Sequence, residues 1–192
     1  GDMDLLREAF DVPIWGSEYT SKTVACDRIL NDGDILQLGK QEWTVLITPG
    51  HHPGHVCLSS PAGIVAGDMV AGIGTILIPP GTGDMDVYIE QLERLRELNP
   101  HLLFPSHGPV IPLPERTLSY YIKHRKQRHQ KVLDAVENGH KTISAIATMA
   151  YSDSPDAHPG LAQDQTLAHL LSHERMGLVE QQSNEWNLRG VE

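Results

Sequence analysis

Three short segments of this chain carry side chains suited to holding metal ions. Thr48-Pro49-Gly50-His51 closes one apolar run, Gly67-Asp68 closes a second, and Ser106-His107-Gly108-Pro109 follows a third. Imidazole and carboxylate are ligands for zinc, manganese or iron at neutral pH. Glycine and proline beside them make a tight turn, which fixes a side chain at a strand end where coordination space is open. Three such turns at one rim of a sheet would gather His51, Asp68 and His107 as metal ligands, and the chemistry they suit is hydrolysis by a metal-activated water. His52, His55 and Thr75 stand nearby in the sequence and are expected behind the ligands or along a substrate cleft. Each residue also has a plainer reading when taken alone. His51 is then an exposed turn histidine, Asp68 a turn cap, His55 a core histidine and Thr75 a buried loop residue. No side chain is assigned as a general acid, base or nucleophile.

The elements that must position these residues are short strands, Gly/Pro turns and one clear helix between residue 1 and about residue 114. Leu5 to Phe10 reads as the end of a helix, and Val12 to Trp15 as a short strand. Asn31-Asp32-Gly33-Asp34 is a turn. Ile35 to Leu38, Glu42 to Thr48, Val56 to Ser59 and Ile64 to Ala66 alternate or run apolar as strands do, the last two forming a hairpin through Ser60-Pro61-Ala62-Gly63. Asp84 caps a helix to Leu98 that places Tyr88, Leu92 and Leu95 on one face. Leu102 to Phe104 is a last buried strand.

After Pro114 the texture becomes helical. A long helix spans Glu115 to Asn138 and ends at Gly139, a second spans Thr142 to Ala150, and a third spans Leu161 to Met176 before Gly177. Leu178 to Glu180 and Glu185 to Leu188 pair around a polar turn. Three helices and a terminal hairpin follow the order of a winged helix, so residues 115–192 are expected to form a second domain beside 1–114. Lys123, Arg125, Lys126, Arg128 and Lys131, with His124 and His129, read as a solvated helix face, or as a contact for RNA or an acidic substrate. His169 and His173 are four apart on a helix without the glutamate of a zincin motif, and read as ordinary residues of the third helix.

Composition narrows the classes. The 192 residues carry a net charge of −10, which works against broad contact with a phosphate backbone. Two cysteines, Cys26 and Cys57, make neither a disulfide framework nor a zinc knuckle, and point to a reducing, cytoplasmic setting. No apolar run approaches the ~20 residues of a membrane span.

Taken together, the chain resembles the metallo-β-lactamase superfamily, in the hydrolase branch that includes glyoxalase II and the β-lactamase-like protein 2 group. The resemblance rests on the three turns, Ala66-Gly67-Asp68-Met69-Val70, Gly74-Thr75, the Tyr88 helix, Phe104-Pro105-Ser106-His107-Gly108-Pro109 and the helical tail. It implies an α/β fold: the C-terminal half of an αββα sandwich followed by a small winged-helix domain. It also implies two zinc ions, with His51 completing the first metal's shell, Asp68 bridging both and His107 on the second. A metal-bound hydroxide would then attack a thioester or ester, or, as an alternative, a phosphodiester of RNA. Ser106 stands where the family more often has glycine, and His52 where a small hydroxyl residue is usual. The family's first motif, His-x-His-x-Asp-His, is absent from the sequence. The resemblance places it a few residues before Leu5, so the chain is expected to be cut behind it and to be metal-poor and inactive. A non-catalytic binding module would be the other outcome. Half a sandwich would also expose an apolar sheet face, which a second copy of the chain is expected to cover.

Overall fold

The structure, a computed structural model, describes residues 3–190. Helix α1 (Met3–Phe10) leads into a short parallel pair, β1 (Trp15–Ser17) with β2 (Arg28–Leu30). The main sheet has five strands in the order β3 (Ile35–Leu38), β4 (Gln41–Ile47), β5 (Val56–Ser60), β6 (Gly63–Gly67) and β7 (Leu103–Pro105). The first four pair antiparallel, β3 to β4 and β5 to β6 through tight turns and β4 to β5 through the segment 48–55 that carries His51. The last pair is parallel, because α2 (Met85–Glu97) crosses over between β6 and β7. The α/β expectation holds. The first short strand, by contrast, begins at Trp15 rather than spanning Val12 to Trp15, and its partner β2 was not foreseen. Three-residue strands are too short to show a period.

Alternation along β4 explains the two faces of the sheet. Leu46, with Cys57, Ile64 and Ala66 of the neighbouring strands, faces Tyr88, Leu92 and Leu95 of α2 and forms the larger core. Val45 turns the other way, to Leu36 and Leu30, against a partly covered layer of Trp43, Ile47, Val56 and Leu58. A groove of ≈ 480 Å³ runs along that second face, lined by Trp15, Leu30, Leu36, Leu38, Leu58 and Val65 among others. Helix α2 begins as the sequence indicates: the Asp84 carboxylate accepts from the backbone N–H groups of Asp86 and Val87.

Three further helices follow, α3 (Pro114–Glu137), α4 (Ile143–Ala150) and α5 (Pro159–Arg175), and then an antiparallel hairpin of β8 (Val179–Gln182) and β9 (Glu185–Leu188). Helix α5 starts two residues earlier than Leu161, with Pro159 in its first turn, where a missing N–H is harmless. Helix α3 contributes Leu118, Tyr121 and Ile122 to the sheet's core. Farther along, its Val132, Ala135 and Val136 join Ile146, Leu170, Val179 and Trp186 in a second cluster. Among the described residues no helix is long and apolar enough to cross a membrane.

Candidate metal centre

Hydrogen bonds lash the three strand-end turns to one another. The carbonyl of Gly50 accepts from Asp84 N at 2.7 Å, pinning the His51 turn on the start of α2. Gly50 itself lies so close to α2 that an added Cβ would stand 2.4 Å from Tyr88 Cα, so no larger residue fits. On the other side, Ser106 N donates to Gly67 O (3.0 Å) and Gly72 N to His107 O (2.8 Å), which ties the His107 turn to both ends of the Asp68 turn. Tyr88 Oη donates to Met69 O at 2.7 Å and holds the chain just after Asp68.

The result is a carboxylate between two imidazoles. His51 Nε2 is 3.6 Å from Asp68 Oδ2, and His107 Nε2 is 3.3 Å from Asp68 Oδ1. His51 and Asp68 are partly buried, whereas His107 is 71% exposed and closes the site from the solvent side. The donor chemistry fits a cation here. His51 Nδ1 donates to the carbonyl of Leu77 at 2.7 Å, and a carbonyl can only accept, so in the neutral ring Nε2 presents a lone pair to the carboxylate. Asp68 Oδ1 is buried and accepts no hydrogen bond. Lone pairs facing lone pairs are stable only with positive charge between them. Among the described residues no set of three or more His, Cys, Asp or Glu side chains closes around one ion. The arrangement is instead a bridge, one histidine to each carboxylate oxygen.

His55 lies behind the bridge. Its Nε2 accepts from the backbone N–H of Asp68 at 3.0 Å, so Nδ1 carries the hydrogen and donates to Thr48 Oγ1 at 2.8 Å. Burial and the neighbouring His51 lower its pKa to about 4, so it stays neutral and keeps this pattern. His52 turns away, accepting from Gly54 N and meeting the Tyr19 ring edge-on. Thr75 sits on an exposed loop, where its hydroxyl accepts from Arg125 Nη2 at 2.9 Å. Leu77 contributes only a backbone carbonyl, which leaves no trace in residue type and so no signal in the sequence.

The basic run of α3 departs from the solvated face expected of it. Arg125 and Arg128 are buried, at 3% and 4% exposure. Arg128 bonds to Ala150 O, Asp153 and Ser154 and lies over the Tyr151 ring, while Lys126 and Lys131 pair with Glu93 and Asp153. His169 and His173 are buried as well and meet His129 of α3.

The family model of the metallo-beta-lactamase superfamily matches residues 1–107, more than half of the chain. The chain belongs to that superfamily. It is similar to a beta-lactamase-like protein 2 homolog of Drosophila melanogaster, with 34% identity over 116 residues covering 58% of this chain and 38% of the relative. It is also similar to a hydroxyacylglutathione hydrolase of Yersinia pestis, with 33% identity over 118 residues covering 62% of this chain and 40% of the relative. Among solved structures, a beta-lactamase domain protein from Burkholderia ambifaria shares the fold, with a TM-score of 0.73 at 23% identity over 84% of this chain and 52% of that one. The chain thus spans about half or less of the length of these proteins, and the family match takes in His51, Asp68 and His107.

Proposed function

We propose that this chain carries part of a zinc-dependent hydrolase site for thioesters or esters, with His51, Asp68 and His107 as its share of the ligands. The observation that carries the reading is the Asp68 carboxylate flanked on each oxygen by a histidine Nε2. Zinc held there would supply a Lewis acid and a water acidic enough to attack an acyl carbon at neutral pH. The chain's own part is to hold that charge. His51 and His107 offer neutral nitrogen ligands, Asp68 offsets the positive charge, and His55 fixes the backbone from which Asp68 projects. The Yersinia pestis relative is named for hydroxyacylglutathione, an acylated thiol, which favours acyl transfer to water here. The inward-turned arginines and paired lysines of α3, with the net charge of −10, favour small acyl substrates over RNA.

Three ligands divided between two histidine positions fall short of the three protein ligands that a catalytic zinc normally has to itself. We therefore expect weak, substoichiometric zinc and slow turnover from the chain alone. Zinc titration of the purified chain, with hydrolysis of a thioester, a lactone and single-stranded RNA, tests this. Loss of the residual zinc in Asp68→Asn supports the reading, and a wild-type chain indifferent to zinc overturns it. Tight, equimolar zinc would overturn the expectation of a metal-poor chain. In the same reading residues 115–192 form a winged-helix-like unit, the free thiols of Cys26 and Cys57 fit a cytoplasmic setting, and the half-open sheet face docks a second copy. A monomer at micromolar concentration by light scattering would remove the last of these.

A further inference from the structure

The carbonyl that sets the His51 tautomer belongs to a loop gripped from the other end of the chain. Gln165 of α5 is buried, and both ends of its amide are engaged: Oε1 accepts from Ile78 N at 3.1 Å and Nε2 donates to Ile78 O at 2.8 Å. Arg125 of α3 donates through Nη1 to the same Gln165 Oε1 at 3.0 Å, and through Nη2 to Thr75 Oγ1 and to the carbonyl of Ile76. We infer that Arg125 and Gln165 are positioning residues for the metal centre, acting through the Leu77 carbonyl on the direction and tautomer of His51.

The planarity of the peptide unit carries the effect. Leu77 C=O and Ile78 N–H lie in one rigid plane and point in opposite directions across the trans peptide bond. Gln165 holds the N–H on one side, so the carbonyl must face the other, where His51 Nδ1 meets it at 2.7 Å. The Leu77 side chain is exposed and does little to set this plane, so the constraint comes from buried Ile78 and the bonds to it. Arg125 can only donate, so its bond to Oε1 reinforces the orientation that the two Ile78 bonds give the Gln165 amide, while its other bonds hold Thr75 and the Ile76 carbonyl. A flipped amide would set N–H against N–H and oxygen against oxygen at Ile78, and an amide N–H against Arg125 as well. Arg125 is also a costly residue to bury. Its Nε has no hydrogen-bond partner, and none of the ion pairs among the described residues includes it. An aliphatic side chain would fill the same interface at lower cost but could not orient the amide.

The orientation of His51 is a property of the chain itself, and only its effect on metal affinity rests on the hydrolase reading. The test uses the 192-residue chain with ¹⁵N-labelled histidine, read by imidazole NMR without metal and then by titration with cobalt(II). In the wild type His51 should show a single tautomer with hydrogen on Nδ1. Gln165→Leu should give a mixture at His51 and leave His55 unchanged, since the Asp68 N–H and Thr48 hold that ring independently. Cobalt affinity should fall about 10–100-fold, the usual effect of losing a group behind a ligand. Gln165→Met fills nearly the same volume without either polar group and should also give the mixture, which a general packing role for Gln165 would not explain. Arg125→Met removes the donor to Gln165 Oε1 and to the Ile76 carbonyl and should reproduce the mixture, and it replaces Gln165→Leu if the near-ultraviolet signal of buried Trp186 shows that variant unfolded. A folded variant with His51 still in one tautomer overturns the inference. A wild-type chain that binds no cobalt overturns the metal reading instead, and the tautomer comparison still decides the positioning role.

Discussion

Acid should loosen the seam between α3 and α5. His129, His169 and His173 meet there as neutral rings: Nδ1 of His129 and of His169 are 3.1 Å apart, and the His129 and His173 rings stack at 3.7 Å. His169 is fully buried, and burial, then His129 and Arg125, lower its pKa well below the ordinary 6.5. Burial and His173 lower His129 to about 4, and burial lowers His173. The charges around the cluster are the two buried guanidinium groups of α3, Arg125 and Arg128, with Asp86 of α2 partly opposing them. Above pH ~6.5 neither the folded nor the unfolded chain is protonated at these rings, and they cost nothing. Below it the unfolded chain takes up protons that the folded chain refuses, so stability falls with pH. For His169 the loss approaches about 1.4 kcal/mol per pH unit, or about 2 kcal/mol between pH 6.5 and pH 5. His129 is only half-buried and adds a fraction of that after solvent screening. Urea denaturation at pH 7.5, 6 and 5, followed by tryptophan fluorescence, measures the slope. His169→Gln should flatten it by about one proton, or about 1.4 kcal/mol per pH unit below pH 6. Equal slopes in the variant and the wild type would refute the reasoning.

Two further outcomes follow from the site's supports. Gly67→Ala should destabilise the fold by about 2–4 kcal/mol, combining a left-handed backbone at φ +52° with a Cβ placed 2.6 Å from His55 Nε2, which breaks that ring's bond to Asp68 N–H. A melting temperature unchanged in Gly67→Ala would argue against it. Burial pushes the Cys57 thiol up to about 12, so a thiol reagent at pH 8 should label Cys26 and spare Cys57 until denaturant is added. Rapid labelling of two thiols in the native chain would contradict that placement.

Much of the scaffold was legible because its signals are local. The Asp84 cap, the hairpin from Ser60 to Gly63 and the strand-end turns depend on a few adjacent residues whose backbone preferences decide the outcome. The inward face of α3 was legible in principle and misread. Leu118, Tyr121, Arg125, Arg128, Val132 and Ala135 follow one another at intervals of three and four, the spacing of a buried helical stripe, and all six are buried. A run of cations suggests a solvated face, whereas the spacing puts Arg125 and Arg128 in the buried stripe. The grip on the loop from Thr75 to Ile78 has no such signal. It joins backbone groups to side chains 87 residues away in the case of Ile78 and Gln165, and nothing in either segment names the other.

Helix α3 belongs to both hydrophobic clusters, and that gives the chain a built-in epistasis. A change that shifts Val132 against Trp186 in the tail is transmitted along a rigid rod to Tyr121, whose hydroxyl bonds to Ala71 N and Gly74 O beyond the Asp68 turn. Substitutions in the tail are thus accepted or rejected partly by their effect on the opposite end of the helix. Lineages that drift in one cluster would carry compensating changes in the other, and a tail grafted from a relative would arrive without them.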